Sequence, residues 1–217
     1  LLNDRGTTGG YTKIANVVGD QSKIKSIVID QKIKPKKKTV LLAIPTTAGS
    51  GAEVTPSAVI YFRKKKYSLE SEKIKPDHYF LIPKYLKLIE KKTKASSGFD
   101  AISQAIESIF SLKSNQKSFE YSKKSLEISF KNYLNFVNNS SDTSRNNMLL
   151  SANLAGKAIA ISKTTAPHAL SYPFTSIFNI DHGHAVSLTL NNILKFNYKN
   201  INKSNADFNL RSRYKTL

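Results

Sequence analysis

Three of the four histidines in the chain, His168, His182 and His184, fall in one short region. His168 and His182 each stand near the start of a stretch with helical character, and the turn Asn179-Ile180-Asp181 separates the two stretches. Helices joined in this way can pack side by side and bring two imidazoles together. Upstream, Asp100 and Gln104 are four residues apart, so they share one helix face. Their neighbours Ala101 and Ala105 predict that this face looks into a pocket rather than open water. Two imidazoles, a carboxylate and an amide oxygen would suit Fe2+, Zn2+ or a similar divalent ion. Each part also has a plainer reading. A lone histidine is more often a satisfied core or surface residue, and Asp100 taken alone reads as the cap of the helix after it. The clustering of three histidines is what brings metal binding level with those readings.

A third segment, Pro45-Thr46-Thr47-Ala48-Gly49-Ser50-Gly51-Ala52-Glu53-Val54-Thr55, is a loop of small residues and hydroxyls at the end of an expected strand. Small residues let a backbone approach a ligand closely, and hydroxyls and free N–H groups can bond phosphate or ribose oxygens. Such loops are more often simple turns, so this one alone is a weak signal.

These groups need elements to hold them. Residues 1–86 read as α/β. A short helical stretch is expected near Thr12–Val18. Thr39–Pro45 has a buried-strand pattern ended by proline. Ser57–Phe62 is a second expected strand with turn chemistry at Arg63–Lys66, and His78–Ile82 is a third, ended by Pro83. From residue 87 the texture is helical. Ala101–Phe110 places Ile102, Ala105, Ile106 and Ile109 on one face. Ser118–Val137, Asn146–Ile161, His168–Phe178 and Gly183–Phe196 continue the pattern, with Gly156 expected at a close helix contact. Strands first and helices afterwards predict an α/β part, 1–86, followed by an all-α part, 87–217.

The chain has 217 residues, 40% of them hydrophobic, which is enough for a real core. It has no cysteine, so disulfides and thiolate metal sites are excluded. No stretch approaches the ~18–20 apolar residues of a membrane span. The first residues, Leu1-Leu2-Asn3-Asp4-Arg5, do not resemble a signal peptide, so a cytoplasmic protein is the expectation, and the lack of an initial Met leads us to expect a fragment of a longer one. The net charge is +19. That surplus could serve a nucleic-acid partner. However, the runs at Lys34–Lys38 and Arg63–Lys66 lack the interleaved aromatics of a single-strand binder. Solvated basic faces, with some attraction for an anionic cofactor or substrate, are the favoured reading.

The three segments together, in order and in spacing, resemble the iron-containing (group III) alcohol dehydrogenases. Pro45–Thr55 matches that family's Pro-Thr-Thr-Ala-Gly-Thr/Ser-Gly-x-Glu-Val-Thr loop. Ala95–Glu107 matches its Ala-x-Ser/Thr-Gly-x-Asp-Ala helix. His168–Pro173 and Asp181–Ala185 match its two histidine segments, and Phe196-Asn197 the end of the helix that follows. The resemblance implies an incomplete Rossmann-like nucleotide domain followed by an all-α domain, the dehydroquinate synthase-like arrangement. It implies a metal held by Asp100, Gln104, His168 and His182. It also implies NAD(P)H bound by Thr46, Thr47, Gly49, Ser50, Thr55, Ser57 and Lys66, with Tyr172 and His184 near the cleft. A small aldehyde or alcohol as substrate and a homodimer follow in the same way.

Some positions depart from the family pattern. Gln104 stands where most members have His, Tyr172 where many have a second cleft histidine, and Asp181 where Pro is usual. Gly6–Tyr11 is a degenerate version of the pyrophosphate loop. Within the family, the run Lys163–Pro173 and Gln104 are most similar to phosphonoacetaldehyde reductases, which make 2-hydroxyethylphosphonate.

Overall fold

The computed structural model describes residues 13–17, 25–30, 34, 36–62 and 65–217. The Gly6–Tyr11 segment lies outside them. Strands precede helices along the chain, as the hydrophobic periodicity predicts. A short helix α1 (13–17) and a π-type turn at Lys25–Ile29 come first, then β1 (Leu42–Ala43), β2 (Ser57–Phe62), β3 (Lys65–Glu70) and β4 (His78–Tyr79). β1 and β4 pair in parallel, and β2 and β3 form an antiparallel hairpin. Ile14, Val17, Ile27, Val28, Ala58 and Leu69 pack into a small core beneath the hairpin.

The strand region differs from expectation in three ways. Within Thr39–Pro45 only Leu42–Ala43 is laddered, and the apolar side chains are not buried: Val40 is 72% and Leu42 49% exposed. Apolar runs of this kind are buried only when layers cover both faces of a sheet. Among the described residues β1 has β4 as its ladder partner, and these side chains are left half to largely exposed. His78–Ile82 likewise ladders only over its first two residues. Lys65 and Lys66, expected in a turn, begin β3 opposite Phe62 and Tyr61.

The helical part contains α2 (Lys91–Phe110), α3 (Gln116–Asn138), α4 (Asp142–Ser162), α5 (Ala166–Ser176), α6 (His182–Lys199) and α7 (Leu210–Tyr214). The local chemistry marks their starts. Asn115 and Ser118 form a reciprocal capping box at α3. The Ser141 side chain accepts from the Ser144 N–H at α4. Pro167 occupies the first turn of α5, where its missing N–H costs nothing. α2, α3 and α4 pack on one another, and α6 packs on α2 and α5. Ala101, Ala105, Ile109, Leu126, Phe136, Met148, Leu149 and Ala152 form the core between them. Full burial of a side chain such as Phe136 contributes about 1.5–3 kcal/mol. Where α3 and α4 touch, the Ser125 and Ser151 hydroxyls each donate to the other's carbonyl at 2.9 Å.

Two helix expectations are corrected. α2 starts at Lys91, ten residues before the apolar periodicity begins, so Asp100 sits mid-helix and does not cap it. The polar opening Lys-Lys-Thr-Lys-Ala-Ser-Ser carries too few apolar residues to show helical period. Gly156 does not meet a helix. A Cβ there would come within 2.7 Å of the Gly51 Cα, so the glycine seats the 45–55 loop on α4.

Candidate metal centre

Asp100, Gln104 and Glu107 are spaced i, i+4, i+7 and draw a polar line down a buried face of α2. They are 5%, 3% and 2% exposed. Burying three polar groups on one stripe is costly unless each finds a partner. α5 and α6 supply partners for the two carboxylates. His168 Nε2 lies 3.1 Å from Asp100 Oδ1, and His168 Nδ1 contacts Glu107 Oε1. His182 Nε2 lies 3.9 Å from the same Asp100 oxygen. The two imidazoles meet edge-on, with ring centroids 5.2 Å apart. One donor atom from each of Asp100, His168 and His182 falls within 4.8 Å of the others.

Gln104 completes the group from one turn further along. Its Nε2 donates to Asp100 Oδ2 at 3.2 Å, while its Oε1 is buried without a partner. An orphaned amide oxygen on a side chain that bonds Asp100, the carboxylate both imidazoles approach, fits a divalent cation, which would satisfy that oxygen.

The electrostatics fit the same picture. Burial by itself would hold His168 neutral, but hydrogen bonds and charge from Asp100 and Glu107 outweigh it and push its pKa up to about 9. Burial by itself would raise the Asp100 carboxyl. The hydrogen bond from His168 and the positive charge of the two histidines instead pull it below the usual range. His168 lies between two carboxylates, Asp100 and Glu107, and both favour positive charge on its ring.

α6 reaches this position because Gly183 follows His182. An added Cβ at Gly183 would lie 1.9 Å from the Ser96 carbonyl oxygen, so the backbones of α6 and α2 are in direct contact there. The half-buried ring of Tyr172 stacks nearly parallel to His182, 9° between planes and 6.4 Å between centroids. His184 is not part of the cluster. It is exposed and lines a cavity of about 270 Å³ with Lys92, Phe99, Tyr133 and Asp181.

The 45–55 loop lies against the same helix. Gly49 is buried on Ser97, less than one turn before Asp100, where a Cβ would meet the Ser97 carbonyl oxygen at 2.9 Å. Gly51 adopts a left-handed φ of 58°, which glycine tolerates without strain. Thr46, Thr47 and Ser50 are exposed. Thr55 is different: it is buried, and its hydroxyl accepts from Lys13 Nζ at 3.2 Å. Lys13 also donates to the carbonyls of Thr55 and Ser57, tying loop to hairpin. Glu53 accepts from Asn153 of α4 at 2.8 Å. Ser57 is exposed at the start of β2, and Lys66 is in β3.

Glu107 is the site residue that sequence reasoning did not single out. Its place on the Asp100–Gln104 face, seven residues on, was the available signal.

Comparison with known proteins agrees with this architecture. The description "Iron-containing alcohol dehydrogenase" matches residues 6–83, and "Fe-containing alcohol dehydrogenase family, C-terminal" matches residues 94–216. A phosphonoacetaldehyde reductase of Streptomyces viridochromogenes is 31% identical over 73% of the chain, and 41% of that relative is covered. A 4-hydroxybutyrate dehydrogenase of Clostridium kluyveri is 29% identical over 84% of the chain, which covers 51% of that relative. Among solved structures, a sulfoacetaldehyde reductase of Bifidobacterium kashiwanohense in complex with NAD+ superposes with a TM-score of 0.83. It is 31% identical, and 88% of this chain covers 52% of that one. The chain thus spans about half of these relatives' length or less. The fold is that of the family's solved members, and the two family matches make this chain a member of the Fe-containing alcohol dehydrogenase family.

Proposed function

We propose that the protein is an NAD(P)-dependent, metal-dependent alcohol dehydrogenase or aldehyde reductase. Residues 1–86 would form part of the cofactor domain and 87–217 the metal-binding domain. The observation that carries this reading is the convergence of Asp100, His168 and His182 beside the orphaned Gln104 oxygen. Asp100, Gln104, His168 and His182 would hold the ion, Fe2+ or Zn2+. The bound metal supplies Lewis-acid polarisation of a carbonyl oxygen, and reduced nicotinamide supplies the hydride.

The chain's own residues do the positioning. Thr46, Thr47 and Ser50 are exposed where a cofactor could reach them, and Gly49 fixes their loop against α2 near Asp100. Thr55 and Lys13 stiffen the loop's return to the hairpin. The Tyr172 ring narrows the approach to His182.

For substrate we favour a small aldehyde carrying an anionic group, phosphonoacetaldehyde in particular. The support is the relative of that name, the sulfoacetaldehyde reductase structure, and the net charge of +19. A general short-chain alcohol dehydrogenase is the second reading, supported by a 1-propanol dehydrogenase and an alcohol dehydrogenase among the relatives. The test is aldehyde-dependent NADH and NADPH oxidation by the full-length protein, with and without chelator. Phosphonoacetaldehyde, sulfoacetaldehyde and propanal should be compared. A rate that survives metal removal or His182→Ala would sink the metal role, and equal rates on charged and neutral aldehydes would sink the anionic substrate.

A further inference from the structure

Glu107 is buried two turns from Asp100, on the side of His168 away from the cluster. Its two oxygens are divided between two partners. Oε1 meets His168 Nδ1, and Oε2 accepts from Thr165 N–H at 2.6 Å and from Thr165 Oγ1 at 2.8 Å. Thr165 is the N-cap residue of α5, so the same carboxylate ties α2 to the start of the helix that carries His168. A group serving only to fill this space would be apolar, because a buried carboxylate is costly unless all its acceptor capacity is used.

We propose that Glu107, braced by Thr165, is the positioning residue of the metal centre. With an ion in place of the Nε2 proton, it keeps the remaining His168 proton on Nδ1, so that Nε2, the nitrogen on the Asp100 side, is the one that ligates. The inference rests on the metal reading above and adds a residue outside the ligand set. A carboxylate behind a ligating imidazole fixes both ring orientation and tautomer. His182 has a weaker counterpart, since its Nδ1 lies 3.4 Å from Ser171 Oγ. That hydroxyl also donates to the His168 carbonyl at 2.7 Å.

Glu107→Gln tests this without changing volume. An amide has one acceptor end and one donor end. If its nitrogen faces Thr165 N–H, two donors oppose each other. If its nitrogen faces His168 Nδ1, the ring must accept there and carry its proton on Nε2, the atom the ion needs. Calorimetric titration of the chain with Zn2+ should show about 10–100-fold weaker binding for Glu107→Gln than for wild type. Thr165→Val keeps the backbone donor, and a loss of only a few-fold is expected. Circular dichroism of the metal-free variants checks the fold. Should Glu107→Gln fail to fold, nitrogen NMR on the Zn2+-loaded wild type reads the same point. His168 should ligate through Nε2 with its proton on Nδ1. Unchanged affinity in Glu107→Gln, or ligation through Nδ1, overturns the inference alone. A wild type that binds no Zn2+ overturns the metal reading and this inference with it.

Discussion

Gly183→Ala should damage the metal centre without touching a ligand. The added Cβ would stand 1.9 Å from the Ser96 carbonyl oxygen and 3.0 Å from the Asp100 nitrogen. Ordinary contact begins at 3.4 Å, so α6 must retreat by roughly 1.5 Å. Both obstacles are α2 backbone, which cannot rotate aside as a side chain can. His182, the preceding residue, retreats with the helix. The candidate donors already lie up to 4.8 Å apart. A tetrahedral ion with bonds of 2.0–2.1 Å wants its donors ~3.4 Å apart. Wild type must therefore contract by about 1.4 Å to grip an ion, and the variant by about twice that. The overpacking should cost about 1–3 kcal/mol of stability. At about 2–4 °C per kcal/mol, the melting temperature falls by roughly 2–12 °C. Zn2+ affinity should fall by at least the ~10–100-fold typical of losing an outer-shell contact. Gly98→Ala is the control. Its Cβ would meet only side chains, Tyr133 at 2.9 Å and Met148 at 3.2 Å, which can shift. Thermal melts and Zn2+ titrations of both variants decide the matter. Wild-type stability and affinity in Gly183→Ala would refute the argument that this backbone contact sets the position of His182.

Zn2+ at a hundredfold excess over its Kd should raise stability by about 2.7 kcal/mol, and Asp100→Asn should abolish most of the rise in a thermal melt. Burial holds the Lys13 amine down at about 8 against an ordinary 10.5, although Glu53 opposes this. The unfolded chain therefore keeps its proton to higher pH, and the penalty is full below about pH 8 and relieved as pH rises to 10.5. Urea titrations across that window should show wild type gaining up to about 3 kcal/mol relative to Lys13→Met; a constant difference would refute it. Arg213 donates to the Ile109 carbonyl and Ser114 Oγ and stacks on Phe208 at 3.6 Å. Arg213→Met should cost roughly 2–4 kcal/mol and open residues 204–217 to protease, read by limited proteolysis.

The order of elements, the helical part and the candidate residues were legible in the amino-acid pattern alone. Apolar period marked α2 through α6 because one face of each helix packs on its neighbours, and Asp100 and Gln104 shared a face by spacing alone. No local pattern could say that His168 and His182 would meet Asp100, because their distance depends on how α5 and α6 cross α2. That crossing is set by backbone contact at Gly183, where only a missing side chain permits the approach. The same holds for Gly156, whose partner is a loop more than a hundred residues away. Asp100 read alone as a cap because the polar opening of α2 has no apolar stripe; tertiary packing extends the helix through it. The apolar run at Val40–Ile44 read as buried because its composition fits a covered sheet, yet burial is decided by which layers lie above and below. Glu107 shows the difference most directly. Its spacing put it on the Asp100 face, but only the fold brought Thr165 and His168 to its two oxygens and so gave it a role behind the metal centre.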